Sequence, residues 1–130
     1  METGSANKIQ KFTDLYAWQE GHKLVLMIYK ETDKFPDKER YSIIDQMRRA
    51  VVSVTSNIAE GFSRKSSKEK NRFYCMAQAS LVELQNQLII SRDVGYLLNS
   101  EFKKIADQSI TTSKLLSGLL RATKDKKFEV

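Results

Sequence analysis

The sequence predicts an all-α protein, an antiparallel up-down-up-down four-helix bundle. One proline and five glycines among 130 residues are too few to punctuate a many-stranded fold. Apolar residues recur at three- and four-residue spacings through four long segments, the period of a helix with one buried face. Turns of about four residues separate these segments, and turns that short favour antiparallel neighbours. No repeat of roughly 20 to 50 residues is apparent, which argues against a solenoid. The length suits one domain. A flexible N-terminal tail is expected over residues 1–12, the bundle over 13–124, and a flexible basic tail over 125–130.

The first helix is expected from about Asp14 to Lys34, with Thr13 or Asp14 as N-cap. Leu15, Trp18, His22, Val25, Ile28, Tyr29 and Thr32 fall on one face. Pro36 disfavours helical geometry at Phe35 and ends the segment, and Asp37 and Glu39 then complement the positive end of the second helix.

The second helix holds the most informative stretch of the chain, Gln46 to Gly61. Met47, Val51, Val54 and Ile58 form a core stripe that begins at Ile44 and reaches Phe62. Beside it Arg49, Ser53, Asn57 and Glu60 recur at spacings of four, four and three. Such a polar row either matches polar groups on a neighbouring helix or a second subunit, or faces solvent. Gly61 is placed to terminate the helix, with a loop from Ser63 to Ser66.

Ser66 or Ser67 caps the third helix, and Ser66 to Glu69 has the spacing of a capping box. Phe73, Ala77, Ser80, Leu84 and Leu88 make its inner face, widened by Tyr74, Leu81 and Gln85. Gly95 lies near its end, and Tyr96, Leu97 and Leu98 form an apolar turn suited to sealing the bundle. Ser100 is the expected cap of the fourth helix. Phe102, Ile105, Ala106, Ser109, Thr112, Ser113, Leu116, Leu119 and Leu120 give that helix an apolar edge diluted by hydroxyls, and Gly118 weakens it near its end.

The formal net charge is +6, unevenly spread. Arg64, Lys65, Lys68, Lys70 and Arg72 stand against Glu69 alone between Gly61 and Arg72, so this junction is the candidate nucleic-acid-binding surface. A charge run of this kind also serves simply to solvate a bundle end. Further basic residues, Arg121, Lys124, Lys126 and Lys127, gather toward the C-terminus against Asp125 and Glu129. No apolar run approaches about 18 residues, and the first eight residues lack the apolar stretch of a secretory signal. A cytoplasmic protein with no membrane partner is expected.

Chemistry finds little support. A carboxylate-bridged metal centre in a bundle needs Glu-x-x-His pairs, and His22 is the sole histidine. It reads as a core-facing or partner-facing imidazole. Glu60 and Glu83 could be imagined as an acid–base pair across helices two and three, but ion pairing with Arg49 or helix-end hydrogen bonding accounts for the same carboxylates. Glu83 therefore joins the polar row as an architectural or interface residue. Cys75 stands alone without a histidine partner and reads as a small buried thiol. No phosphate-cradling glycine loop or nucleophile elbow is present, and the aromatic residues are dispersed rather than arranged as a base-stacking platform. Neither catalysis nor a cofactor is predicted.

Leu15-Tyr-Ala-Trp18, Phe35-Pro36, Gln46-Met-Arg-Arg-Ala50, Ser53, Asn57-Ile-Ala-Glu-Gly61 and Ala79-Ser-Leu-Val-Glu-Leu84 form a set of which the fifth is the most specific. Together they resemble the bacterial four-helix proteins called 23S rRNA intervening-sequence proteins. Thr55-Ser56 stands where many relatives carry a proline ahead of Asn57. The resemblance implies an up-down bundle assembled as a homopentamer, in a family with some members encoded inside insertions in ribosomal RNA genes. More distantly, the chain is similar to the accessory variability proteins of diversity-generating retroelements, basic pentamers that bind nucleic acid and a reverse transcriptase.

Two functions follow as expectations. The first is a basic oligomer that binds nucleic acid, RNA in preference to DNA. The second is a scaffolding module for another protein, such as a polymerase or a ribosome-associated factor, with the polar row specifying subunit register.

Overall fold

Each helix of a four-helix bundle must bury one stripe against two neighbours, and the chain does this in sequence order. The structure, a computed structural model, describes the backbone of residues 8–127 and the side chains of residues 8–123. Helix α1 spans Tyr16–Thr32, α2 Ile43–Ser63, α3 Ser67–Asp93 and α4 Asn99–Lys127, with short 3-10 turns at Phe12–Asp14 and Asp37–Glu39. Residues 1–7 and 128–130, which take in much of the two expected tails, lie outside the described residues.

The pairings run antiparallel around the bundle, because numbers fall on one helix as they rise on the next. Between α2 and α3, Met47 meets Ser91, Ser53 meets Ser80, and Gly61 meets Tyr74. Between α3 and α4, Asn71 meets Thr123, Gln78 meets Ser117, and Gln85 meets Ser109. Helix α1 closes the ring: Gly21 packs on Thr55 and Thr32 on Arg48, while Glu20 bonds Gln108 and Glu31 shares a groove with Glu101.

The core stripe of α2 is as expected. Met47, Val51, Val54 and Ile58 are buried to 1% exposure or less, alongside Leu24, Ile28, Leu81, Leu84, Leu88 and Leu116. Full burial of such a side chain stabilises by about 1.5 to 3 kcal/mol, so this layer supplies the driving force.

Helix α1 is rotated relative to the expected face. Ala17, Gly21, Leu24, Ile28 and Thr32 are buried, Trp18 and Val25 flank them, and His22 and Tyr29 are exposed. The expected stripe passed over Ala17, Gly21 and Leu24, and Gly21 is where α1 comes close to Thr55 of α2 and Thr112 of α4. His22 instead stacks on Trp18 at 4.8 Å. The helix also begins later than expected, with Leu15 as N-cap. The Asp14 carboxylate turns back to accept from the Gln10 and Lys11 N–H groups at 3.0 and 3.1 Å, closing the preceding turn instead of capping the helix.

Gly61 does not terminate α2. The helix runs on to Ser63 and ends where Arg64 becomes extended, and Gly61 is buried within it. A Cβ there would lie 2.6 Å from Cε1 of Tyr74, so glycine is required by close approach and not by a turn. On α3 the buried row is Tyr74, Ala77, Leu81, Leu84, Gln87, Leu88 and Ser91, with Phe73 and Ser80 half-buried at its edge. Cys75 therefore sits on the exposed side, in contrast to the buried thiol expected. Ser66 is the N-cap, accepting from the Glu69 N–H at 3.1 Å.

Gly95, at φ +92°, ends α3 in a Schellman motif: the Tyr96 N–H bonds the Ser91 carbonyl and the Gly95 N–H that of Arg92. The next turn seals the bundle only in part, since Leu97 is buried while Leu98 is 72% exposed. Helix α4 opens at Asn99, one residue before the expected cap. Its buried hydroxyls are satisfied locally: Ser109, Thr112 and Thr123 each donate to a carbonyl one turn back.

Tyr96 ties the two connections at this end together. Its hydroxyl donates to Glu39 at 2.6 Å, Ser42 donates to the same carboxylate, and the Tyr96 ring packs on Phe35. The hydrogen bonds from Ser42 and Tyr96 hold Glu39 below the ordinary glutamate range. This contribution is present above the unfolded-state pKa and is lost as pH falls through the depressed folded value. Urea midpoints measured down into acid should therefore show a fall that Tyr96→Phe and Glu39→Gln both reduce; variant curves parallel to wild type would exclude this linkage.

Candidate nucleic-acid interface

The basic junction forms where α2 meets α3, and its residues part into two groups. Arg64 and Arg72 both lie over the ring of Phe73, with guanidinium carbons 4.5 and 5.3 Å from the ring centroid. Each also reaches a carboxylate: Arg64 pairs with Glu60 at 3.0 Å and Arg72 with Glu69 at 3.6 Å. These exposed pairs are worth little and leave the guanidiniums available to exchange partners. Lys65 and Lys68 are exposed beside them and form no ion pair among the described residues.

Lys70 points the other way. Its ammonium donates to the carbonyls of Phe62 at 2.6 Å and Gly61 at 3.4 Å and lies over the Phe62 ring. A cation there satisfies the bare carbonyl end of α2 and complements its dipole. Of the five basic candidates, Arg64, Lys65, Lys68 and Arg72 are thus on the outer surface, while Lys70 is engaged with the end of α2.

The polar row of α2 also divides. Its centre reaches α3 through Ser53, whose Oγ lies 2.8 Å from Ser80 Oγ, while Asn57 Nδ2 donates within α2 to both the carbonyl and the hydroxyl of Ser53. Its ends are exposed pairs along α2, Arg49 with Asp45 at 2.9 Å and Glu60 with Arg64. Glu83 is exposed and accepts from Gln87 at 3.3 Å. The register places Glu60 level with Tyr74, nine residues from Glu83 along α3, or about 13 Å at 1.5 Å per residue. The two carboxylates do not meet. Among the described residues no three His, Cys, Asp or Glu side chains are grouped to hold a metal.

Two features were not anticipated. Arg48 reaches from α2 to the C-terminus of α1, donating to Thr32 Oγ1 at 2.9 Å, the Tyr29 carbonyl at 3.3 Å and Asp33 at 3.0 Å while covering the Tyr29 ring. Asn71, Gln78 and Gln85, seven residues apart, form an amide ladder to hydroxyls of α4 at 3.0, 3.3 and 3.1 Å. Their heptad spacing was the signal in the sequence that identifies the α3–α4 seam.

A family model described as 23S rRNA-intervening sequence protein matches residues 13–118. The chain belongs to this family. All the candidate residues above lie inside the matched span of the intervening-sequence protein. A crystal structure from Bacteroides thetaiotaomicron, described as a protein with unknown function from the S23 ribosomal protein family, has the same fold with a TM-score of 0.74. The two share 16% identity over 81% of this chain and 95% of that one. No curated protein matches the sequence. Neither description names an enzymatic activity, and among the described residues no helix is long and apolar enough to cross a membrane.

Arg48→Met keeps the apolar stem but removes every hydrogen bond to the end of α1. The expected cost is about 1 to 2 kcal/mol, reduced from the full value of charged hydrogen bonds by partial exposure. The urea midpoint should fall, and amide exchange should accelerate first in the last turn of α1; uniform acceleration across all four helices would argue against this assignment.

Proposed function

We propose that this intervening-sequence protein is a non-enzymatic, oligomeric bundle protein that binds nucleic acid, preferentially RNA, through the α2–α3 junction. The observation that supports the reading is the gathering of the Arg64 and Arg72 guanidiniums over the Phe73 ring, with Lys65 and Lys68 exposed at the same junction. Guanidiniums meet phosphates in bidentate fashion, and the Phe73 ring holds the two of them together at the junction. Repetition of this junction around a homopentamer, the assembly that the family resemblance implies, multiplies the field and the avidity. RNA is favoured over DNA by the family's ribosomal RNA setting, and the compartment is the cytoplasm.

A second reading, a protein-interaction or scaffolding module, is favoured by the outward side of α3. Cys75, Ala79, Val82, Asn86 and Ile89 follow three- and four-residue spacing there, with Val82 59% and Ile89 44% exposed. A helix of a polymerase or a ribosome-associated protein is the kind of partner that fits such a stripe.

Affinity for single-stranded RNA measured against salt separates the two. Log affinity should fall with log salt by roughly 0.7 per phosphate neutralised, and Arg64→Gln with Arg72→Gln should flatten the slope by about 0.7 for each phosphate left without its guanidinium. A flat response in the wild type would sink nucleic-acid binding, and a protein partner retained after nuclease treatment would favour scaffolding. Asn57→Leu tests the register role: particle mass in solution should become heterogeneous with helix content preserved, whereas one unchanged assembly would remove the row from the interface.

A further inference from the structure

The seam between α3 and α4 carries a second run of cations that leads away from the basic junction. Asn71, Gln78 and Gln85 fix which sides of the two helices meet, through Thr123, Ser117 and Ser109. On α3 the heptad row Lys68, Cys75, Val82 and Ile89 borders that contact, and Ile89 lines a groove shared with Ile110 of α4. On α4 the row Ile110, Lys114, Ser117 and Arg121, spaced by four, three and four, faces it. The seam therefore has two halves. The half far from the junction is apolar, with Val82 59%, Ile89 44% and Ile110 47% exposed. The near half is basic, with Lys68, Arg72, Lys114 and Arg121 all exposed.

Charge decides what can lie along the near half. Between residues 68 and 79 of α3 and 114 and 123 of α4, Glu69 is the only carboxylate, and it is paired with Arg72. Lys68, Lys114 and Arg121 form no ion pair among the described residues. On the α2–α3 face, by contrast, Arg49 and Arg64 are paired with Asp45 and Glu60, and Glu83 is left without an ion pair among the described residues. A phosphate chain leaving the junction over Arg72 is repelled on that side and attracted on this one. Cys75 and Ala79 are exposed and short, so a strand lying here comes close to both helices.

We propose that single-stranded RNA bound at the junction runs on along the α3–α4 seam, its phosphates meeting Lys68, Arg72, Arg121 and Lys114. The track rests on nucleic-acid binding at the junction and adds to it a direction and a length. Gln78 meets Ser117, so Lys114, one turn before Ser117, stands level with Leu81 of α3. From Lys68 to that level is about 13 residues, or about 20 Å at 1.5 Å per residue, the length of about six nucleotides at 3.4 Å each. Contacts that end on phosphates carry no base preference. Beyond Lys114 the apolar half offers phosphates nothing, and the track ends there.

Cys75, the sole cysteine of the chain and exposed beside the track, reports on it directly. The full chain is alkylated with iodoacetamide at low salt, with and without an oligouridylate of about eight nucleotides, a length within the usual range of single-strand sites. At about ten times the Kd the RNA-free fraction is about one-eleventh, so alkylation should slow by about tenfold and recover as salt is raised. Lys114→Gln combined with Arg121→Gln should lower the salt slope by about 0.7 for each phosphate released and restore alkylation in the presence of RNA. Lys38→Gln combined with Lys103→Gln, at the other end of the bundle, should change neither. RNA that binds with the expected slope yet leaves Cys75 fully reactive, or a slope unchanged by the Lys114 and Arg121 substitutions, would overturn the track while leaving binding at the junction standing. A Cys75 that does not react in the free protein would also overturn it, because the seam would then be covered already. Absence of any RNA binding would remove junction and track together.

Discussion

The contact between Gly61 of α2 and the ring of Tyr74 on α3 is the constraint on which the rest of the structure depends. Two helices joined by the short connection at residues 64–66 must diverge or pack closely at once. Here they pack closely because one contributes no side chain and the other lays a flat ring on its backbone. That approach sets the register carried along the pair, through Ser53 with Ser80 and on to Met47 with Ser91. It also determines which residues the turn displays. With Tyr74 turned inward, Phe73 falls at the edge under two arginines and Lys70 reaches the carbonyl end of α2.

Around this hairpin the other helices are placed by different means. Helix α1 is tied to α2 by Arg48 at its C-terminus and by small residues facing the core. Helix α4 presents fewer apolar residues to the core and more hydroxyls. It meets α3 through the amide ladder of Asn71, Gln78 and Gln85, whose hydrogen bonds hold a defined register where aliphatic packing alone would permit sliding. At the far end Tyr96 and Glu39 join the two remaining connections.

Much of this architecture was legible in the sequence because the signals were periodic and strong. The α2 stripe, the Ser66 cap and the inner edge of α4 follow directly from spacing. Part of what was misread has one physical cause: small residues carry no hydrophobic signal, yet they define where helices touch. Ala17 and Gly21 set the inner face of α1, and overlooking them rotated that face toward His22 and Tyr29. Gly61 looked like a helix terminator because the ring that demands a glycine lies thirteen residues away on another helix. The same displacement turned Cys75 outward. At the candidate interface, charge revealed which residues gather at the junction, but Lys70 looks no different in sequence from Lys65 or Lys68; only the position of the α2 carbonyls separates them.

The central claim is that Gly61 is present because of Tyr74, and a double-mutant cycle measures that dependence directly. Gly61→Ala in the native background should cost about 1 to 3 kcal/mol by overpacking. In a Tyr74→Ala background the ring is gone, and the same change should cost clearly less, since only the Phe73 Cβ at 3.2 Å has still to yield and alanine gains helix propensity. Equal costs in both backgrounds, read from urea unfolding, would contradict the account.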